Sequence, residues 1–134
     1  MARQSLTAST VLIVEDDAAT RGMYAAYLTS HGIRVLLADD GFTALRVATS
    51  HRPEVIVMHL SLPRIDGWEA IRGLKWNKKT SHIPIIAITG RVDSGSGTAA
   101  IDAGYDGFLL KPCLPDHLLK EIYTQLARFG QRRA

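Results

Sequence analysis

The chain has 134 residues, 46% hydrophobic and 22% charged, with a formal net charge of +3, enough for one well-packed domain and too little for two ordinary ones. A single cysteine, Cys113, excludes an internal disulfide and a cysteine-rich metal site. The longest apolar runs are strand-length and the opening MARQSLTAST lacks the blocks of a secretory signal, so a cytoplasmic domain without a membrane span is expected.

The elements follow in chain order. Residues 1–9 are polar and expected to be loosely ordered. VLIV (11–14) reads as the first strand, ending in Glu15, Asp16 and Asp17, and residues 18–30 carry helical spacing up to the stop at Gly32. IRVLLA (33–38) is the second strand; Asp40-Gly41 opens a helix over 41–50. Pro53 precedes the third strand, EVIVM (54–58), and the next helix covers 67–76. IPIIAI (83–88) is the fourth strand. The stretch SGSG (94–97) is built of weak helix formers, so the fourth helix, near 98–103, should start late or fray. GFLL (107–110) is the fifth strand, and Pro115 lies in the first turn of a last helix over 115–129. The domain is thus expected over 10–130, with a basic tail at 131–134.

Five alternations of strand and helix predict a parallel sheet covered by helices on both faces. Much of the positive charge lies in KWNKK (75–79) and FGQRRA (129–134). Without aromatic-basic interleaving these read as a solvated helix end and a frayed terminus, not as a nucleic-acid face.

In open sheets of this kind ligands gather beyond the carboxyl ends of the strands. Those ends carry Glu15, Asp16 and Asp17, His59, Thr89 with Gly90, and Lys111 with Pro112. Crowded acids are relieved by a cation or a lysine, and a hard divalent ion such as magnesium takes carboxylate oxygens. One of Asp16 and Asp17 should instead cap the following helix. Thr89 and Lys111 supply the hydroxyl and ammonium that hold a phosphoryl group, and Lys111-Pro112 suggests a cis peptide.

VLIVEDD, MHLSLPRIDGWE, AITG and AGYDGFLLKP, in that order and spacing, resemble the successive motifs of the receiver domain of two-component response regulators over about residues 10–129. The resemblance implies a flavodoxin-like, doubly wound sheet of five parallel strands in the order 2-1-3-4-5 with five helices. It implies Mg2+ on Glu15 and Asp16, phosphoryl contacts from Thr89 and Lys111, an aromatic switch at Phe108, and a loop marked by Pro63 and Asp66-Gly67. The partners it implies are a histidine kinase or a histidine phosphotransfer protein. A downstream target protein would meet the face formed by the fourth helix, fifth strand and fifth helix; a homodimer through those elements is left open. A domain of this family gains and loses its own phosphoryl group and is not a turnover enzyme.

One position departs from the pattern. Where the family has its phosphoacceptor aspartate, four residues before the proline, this chain has His59. An aspartate attacks phosphorus through one oxygen and binds metal through the other; imidazole is bulkier and has no fixed negative charge. Three roles are open to His59. It blocks phosphorylation and leaves a protein-binding pseudo-receiver, which is the reading preferred here; it pairs with Glu15 or Asp16, sensing pH or holding a borderline metal such as zinc; or it becomes a phosphohistidine. Glu15, Asp16, Thr89 and Lys111 are all intact, which leans towards a recent or deliberate replacement of aspartate.

Two other classes fare worse. A flavodoxin needs a hydroxyl- and glycine-rich phosphate loop after its first strand, where this chain has the acidic EDDAAT. A DNA-binding regulator needs a helix-turn-helix or winged segment, and none is recognised; the basic tail would give only salt-sensitive, sequence-independent binding. Trp68 reads as a half-buried helix residue, Gly90 as an opening at the mouth of the site, Asp66 as a helix cap before a stray acceptor, and His31, His51, His82 and His117 as surface residues.

Overall fold

In the computed structural model, residues 9–60, 67–90 and 104–133 are described. The elements are β1 (Thr10–Val14), α1 (Ala18–Ser30), β2 (Arg34–Ala38), α2 (Gly41–His51), β3 (Val55–His59), α3 (Gly67–Trp76), β4 (Ile85–Thr89), β5 (Gly107–Leu110) and α4 (Pro115–Arg133). All strand pairs are parallel, in the order β2-β1-β3-β4-β5, the doubly wound arrangement that the resemblance implies.

The apolar runs work because side chains alternate across a strand. In β1, Leu12 and Val14 face one core while Val11 and Ile13 face the other; β3 divides Ile56 and Met58 from Val55 and Val57, and β4 divides Ile85 and Ala87 from Ile86 and Ile88. The first core is closed by Ala44 and Ala48 of α2 and by Ala70, Ile71 and Leu74 of α3. The second is closed by Tyr24 and Leu28 of α1 and by Leu118, Leu119 and Ile122 of α4. Each fully buried Ile or Leu stabilises by about 1.5–3 kcal/mol relative to exposure, which makes these two layers the main source of stability.

Helix starts follow the expected chemistry. Asp17 caps α1, accepting from Thr20 N at 2.9 Å and Thr20 Oγ1 at 2.6 Å, and Asp40 caps α2, accepting from Thr43 N at 2.8 Å. Gly67 opens α3 in a space that admits no side chain: a Cβ there would lie 2.6 Å from Leu60 Cα and 2.8 Å from the His59 carbonyl oxygen. No helix among the described residues is long and apolar enough to cross a membrane.

Three details differ from expectation. β2 lies at the sheet edge and is not buried on both faces; Arg34 and Leu37 are exposed. β3 runs one residue further than its apolar run and takes in His59. The last helix continues to Arg133, so residues 131–133 of the expected tail are helical: Gly130 is a poor helix former, but one such residue does not stop a helix among residues that favour it. The helix expected near 98–103, the expected disorder of the first residues, Pro63 and Asp66 lie outside the described residues.

Candidate functional site

Alternation also builds the site. Glu15 stands two residues beyond Ile13, His59 two beyond Val57, and Lys111 two beyond Leu109, and all three of those preceding residues belong to the layer under α1 and α4. The three polar residues continue one face of three strands past the end of the core. Thr89 and Phe108 have the opposite parity; Thr89 continues Ala87, and Phe108 packs against the layer under α2 and α3.

At the end of β1 the chain turns sharply into α1. Glu15 is buried and Asp16 and Asp17 are exposed. Glu15 N donates to the Ala38 carbonyl at 3.0 Å, and Asp17 N donates to Glu15 Oε2 at 3.1 Å. Arg21 Nη1 donates to the Glu15 carbonyl oxygen at 2.8 Å, pinning the turn from the first turn of α1. The two acids therefore divide their work: Asp17 caps the helix, and Asp16 is left at the surface beside Glu15.

Opposite them, at the end of β3, His59 is 9% exposed. Lys111 Nζ lies 3.2 Å from His59 Nε2 and 3.7 Å from Glu15 Oε1, while His59 Nδ1 lies 3.4 Å from the same Glu15 oxygen. An ammonium group has only protons to offer, so Nε2 is the acceptor and a neutral ring carries its proton on Nδ1. Nδ1 nevertheless makes no hydrogen bond; its approach to Glu15 lacks the necessary geometry, and the atom is buried without a partner.

The electrostatics follow from burial. The His59 imidazole titrates below its ordinary value of 6.5, first because burial penalises its charged form and second because the Lys111 ammonium is adjacent; Asp16 partly offsets this. Burial raises Glu15 above its ordinary value of 4.5, while the Asp17 N–H and Lys111 oppose the rise. His59 is thereby favoured as a neutral imidazole at pH 7.

Thr89, 4% exposed, closes β4, and Lys111 N donates to its carbonyl oxygen at 2.9 Å, so the hydroxyl residue and the lysine are delivered by adjacent strands. The Lys111-Pro112 peptide is cis. Phe108 is half-buried, with its ring centroid 5.4 Å from that of Tyr105, which in turn lies 6.5 Å from Trp68. A side chain at Gly90 would meet Lys111 Cβ at an ordinary 3.6 Å. His31, His51, His82 and His117 are exposed.

Ligand atoms of Glu15, Asp16 and His59 lie within 4.8 Å of one another, as a divalent cation requires. The donor set is mixed. Magnesium demands oxygen ligands in near-octahedral array, and an imidazole nitrogen in place of a third carboxylate does not meet that demand. A borderline first-row ion accepts such a set.

Arg21 and Tyr24 were not marked out by sequence reasoning. Arg21 holds the acidic turn, and Tyr24 Oη donates to the Cys113 carbonyl oxygen at 2.7 Å, tying α1 to the loop after Lys111; burial, above all, pushes its phenol up to about 12. The signal available for Arg21 was its place one turn after the cap Asp17, from which a long side chain reaches back to the turn.

A family profile described as the response regulator receiver domain matches residues 11–123. The response regulator MprA of Mycobacterium ulcerans is 36% identical over 118 residues, 88% of this chain and 50% of that protein, so the chain spans about half the length of the curated relatives it matches. Among solved structures, the Vibrio cholerae chemotaxis protein CheY4 superposes with a TM-score of 0.84 at 28% identity, covering 90% of this chain and 100% of that one. The receiver domain of the sensor histidine kinase PA1611 of Pseudomonas aeruginosa, with a magnesium ion coordinated in its active site cleft, gives 0.81 at 31% identity, covering 92% and 99%. With the strand order, the acidic turn and the lysine all in place, the chain belongs to the response regulator receiver domains of two-component signalling, with histidine at the end of its third strand.

Proposed function

We propose that this receiver domain does not undergo aspartyl phosphorylation and acts by binding proteins, in the manner of a pseudo-receiver. The observation that carries the reading is the state of His59: no carboxylate stands at the end of β3, and the Nε2 lone pair faces the Lys111 ammonium at 3.2 Å. A carboxylate there would offer one oxygen to phosphorus and a second to metal at the same time, and a neutral imidazole, with a single ring lone pair, cannot do both. The third role for His59, as a phosphohistidine, is set aside because the metal would lack the carboxylate ligand that position supplies and the ring is bulkier than the side chain it replaces.

On this reading Glu15, Asp16, Thr89 and Lys111 are a receiver site with its acceptor replaced. Any Mg2+ is held more weakly than an all-oxygen site would hold it, and zinc or another borderline ion is the better fit. The partners are a histidine kinase or phosphotransfer protein and a downstream target that meets β5 and α4, in the cytoplasm. The domain turns over no external substrate, and nucleic acid is not its partner.

Intact mass after incubation with magnesium and acetyl phosphate tests the reading. The protein should gain no phosphoryl group, whereas His59→Asp should gain one. Labelling of the protein as it stands, at His59 or elsewhere, overturns it.

A further inference from the structure

We propose that the site takes a borderline first-row divalent cation through Glu15, Asp16 and the ring of His59, and that this cation and the Lys111 ammonium compete for the imidazole. The proposal rests on the reading of His59 as a replaced acceptor and deepens it by assigning what the ring binds.

Two independent observations meet here. The ligand atoms of Glu15, Asp16 and His59 are within 4.8 Å of one another, and His59 Nδ1 is a buried nitrogen with no hydrogen-bond partner. It lies 3.4 Å from Glu15 Oε1, the oxygen that faces Lys111 Nζ at 3.7 Å, while the Asp17 N–H is met by Oε2. A mixed set of two carboxylates and one imidazole favours zinc-like ions over magnesium, because nitrogen donors are preferred along the first row and poorly accepted by hard cations.

Competition with Lys111 follows from proton bookkeeping on the ring. With Lys111 donating to Nε2, the single ring proton of neutral imidazole is on Nδ1 and that nitrogen has no lone pair for a metal. Ligation through Nδ1 moves the proton to Nε2, where it meets the ammonium donor to donor, and Lys111 loses its acceptor. Ligation through Nε2 displaces Lys111 directly. Either route gains one metal–nitrogen bond, leaves the imidazole neutral with its one proton, and ends the Lys111–His59 hydrogen bond. Occupancy of the site is thereby linked to the position of Lys111, at the junction of β5 and the loop to α4.

The experiment is a titration of the full chain with Zn2+ against a chromophoric chelator, with Mg2+ as competitor, for the protein and for His59→Ala, His59→Asp and Lys111→Met. One site per chain is expected to bind Zn2+, to resist excess Mg2+, and to vanish in His59→Ala. In His59→Asp, Mg2+ should compete. Lys111→Met should tighten Zn2+ by about tenfold or more, the scale on which contacts around a metal ligand act, with a smaller gain for Mg2+; in histidine 15N spectra Zn2+ should shift one ring nitrogen of His59. Survival of the site in His59→Ala would assign it to the exposed histidines and overturn the proposal. An equal gain for both ions in Lys111→Met would reduce the effect of Lys111 to charge alone and overturn the competition. A protein that takes neither Zn2+ nor a phosphoryl group keeps the blocked-receiver reading and loses this one; a phosphorylated His59 overturns the blocked-receiver reading, on which this one rests, whatever the Zn2+ titration shows.

Discussion

Two lysines of this domain each face an acid, at opposite ends of the sheet, and the two contacts are built differently. At the amino ends of β4 and β5, Lys75 Nζ donates to Asp106 Oδ2 at 2.8 Å and to the Ile83 carbonyl oxygen at 2.9 Å, and the same Asp106 oxygen accepts from Ile85 N at 2.8 Å. Lys75 and Asp106 side chains are each 20% exposed, and Gln125 Nε2 adds a bond to the Asp106 carbonyl oxygen at 3.3 Å. At the carboxyl ends, Lys111 stands 3.2 Å from His59 and 3.7 Å from Glu15, and a buried ring nitrogen is left over. The first contact fastens two strands to the end of α3, and its one slack neighbour is Gln125 Oε1. The second holds its lysine by longer contacts and leaves the ring nitrogen unmatched. Short, shared bonds mark where a charge pair serves the fold, and long ones with an unmet atom mark where it can be exchanged.

Removing each lysine should make the contrast measurable. Lys75→Met leaves the Asp106 carboxylate largely buried without its cation and should cost about 2–4 kcal/mol in chemical denaturation; a loss well under 1 kcal/mol would mean that the two ends do not differ. A smaller effect is expected from pH. The His59 ring is held below 6.5 in the folded chain, so in that window the unfolded chain binds more protons and stability falls as pH drops from about 6.5 towards the folded value. Glu15, raised above 4.5, has the opposite sign: its contribution is present below its unfolded value and lost as pH rises through the folded one. The difference between the protein and His59→Gln, measured by urea unfolding with chelator present, should isolate the histidine slope, and equal slopes would contradict it. Smallest of all is Lys111→Met, expected within about 1 kcal/mol, since Lys111 is a third exposed and its contacts are long.

Much of this could be read from residue order. The runs VLIV, EVIVM and IPIIAI are apolar on both faces because both faces of the central strands are covered, and they place Glu15, His59 and Thr89 at strand ends without further information. β2 misled because an apolar run looks the same at an edge as in the middle. Gly130 concealed the length of α4, since one poor helix former does not stop residues that favour the helix around it. Lys75 read as part of a solvated basic segment, because its partner Asp106 lies 31 residues away and nothing local announces it. Within the candidate site, the sequence put Glu15, Asp16, His59, Thr89 and Lys111 at strand ends but could not show the orphaned Nδ1 or the bond from Lys111, which depend on distances between three strands.

The shared parity of Glu15, His59 and Lys111 has a consequence for how this domain tolerates insertion and deletion. A one-residue change of length inside β1, β3 or β5 would either transfer that strand's side chains from one core to the other or leave a bulge. In the first case one of the three would turn towards the layer of Thr89 and Phe108. Two-residue changes would keep the face but move the group about 6–7 Å along the strand axis, out of reach of the other two. The strand lengths are therefore fixed by the site as firmly as the residues themselves, and length variation within the family should concentrate in the connections.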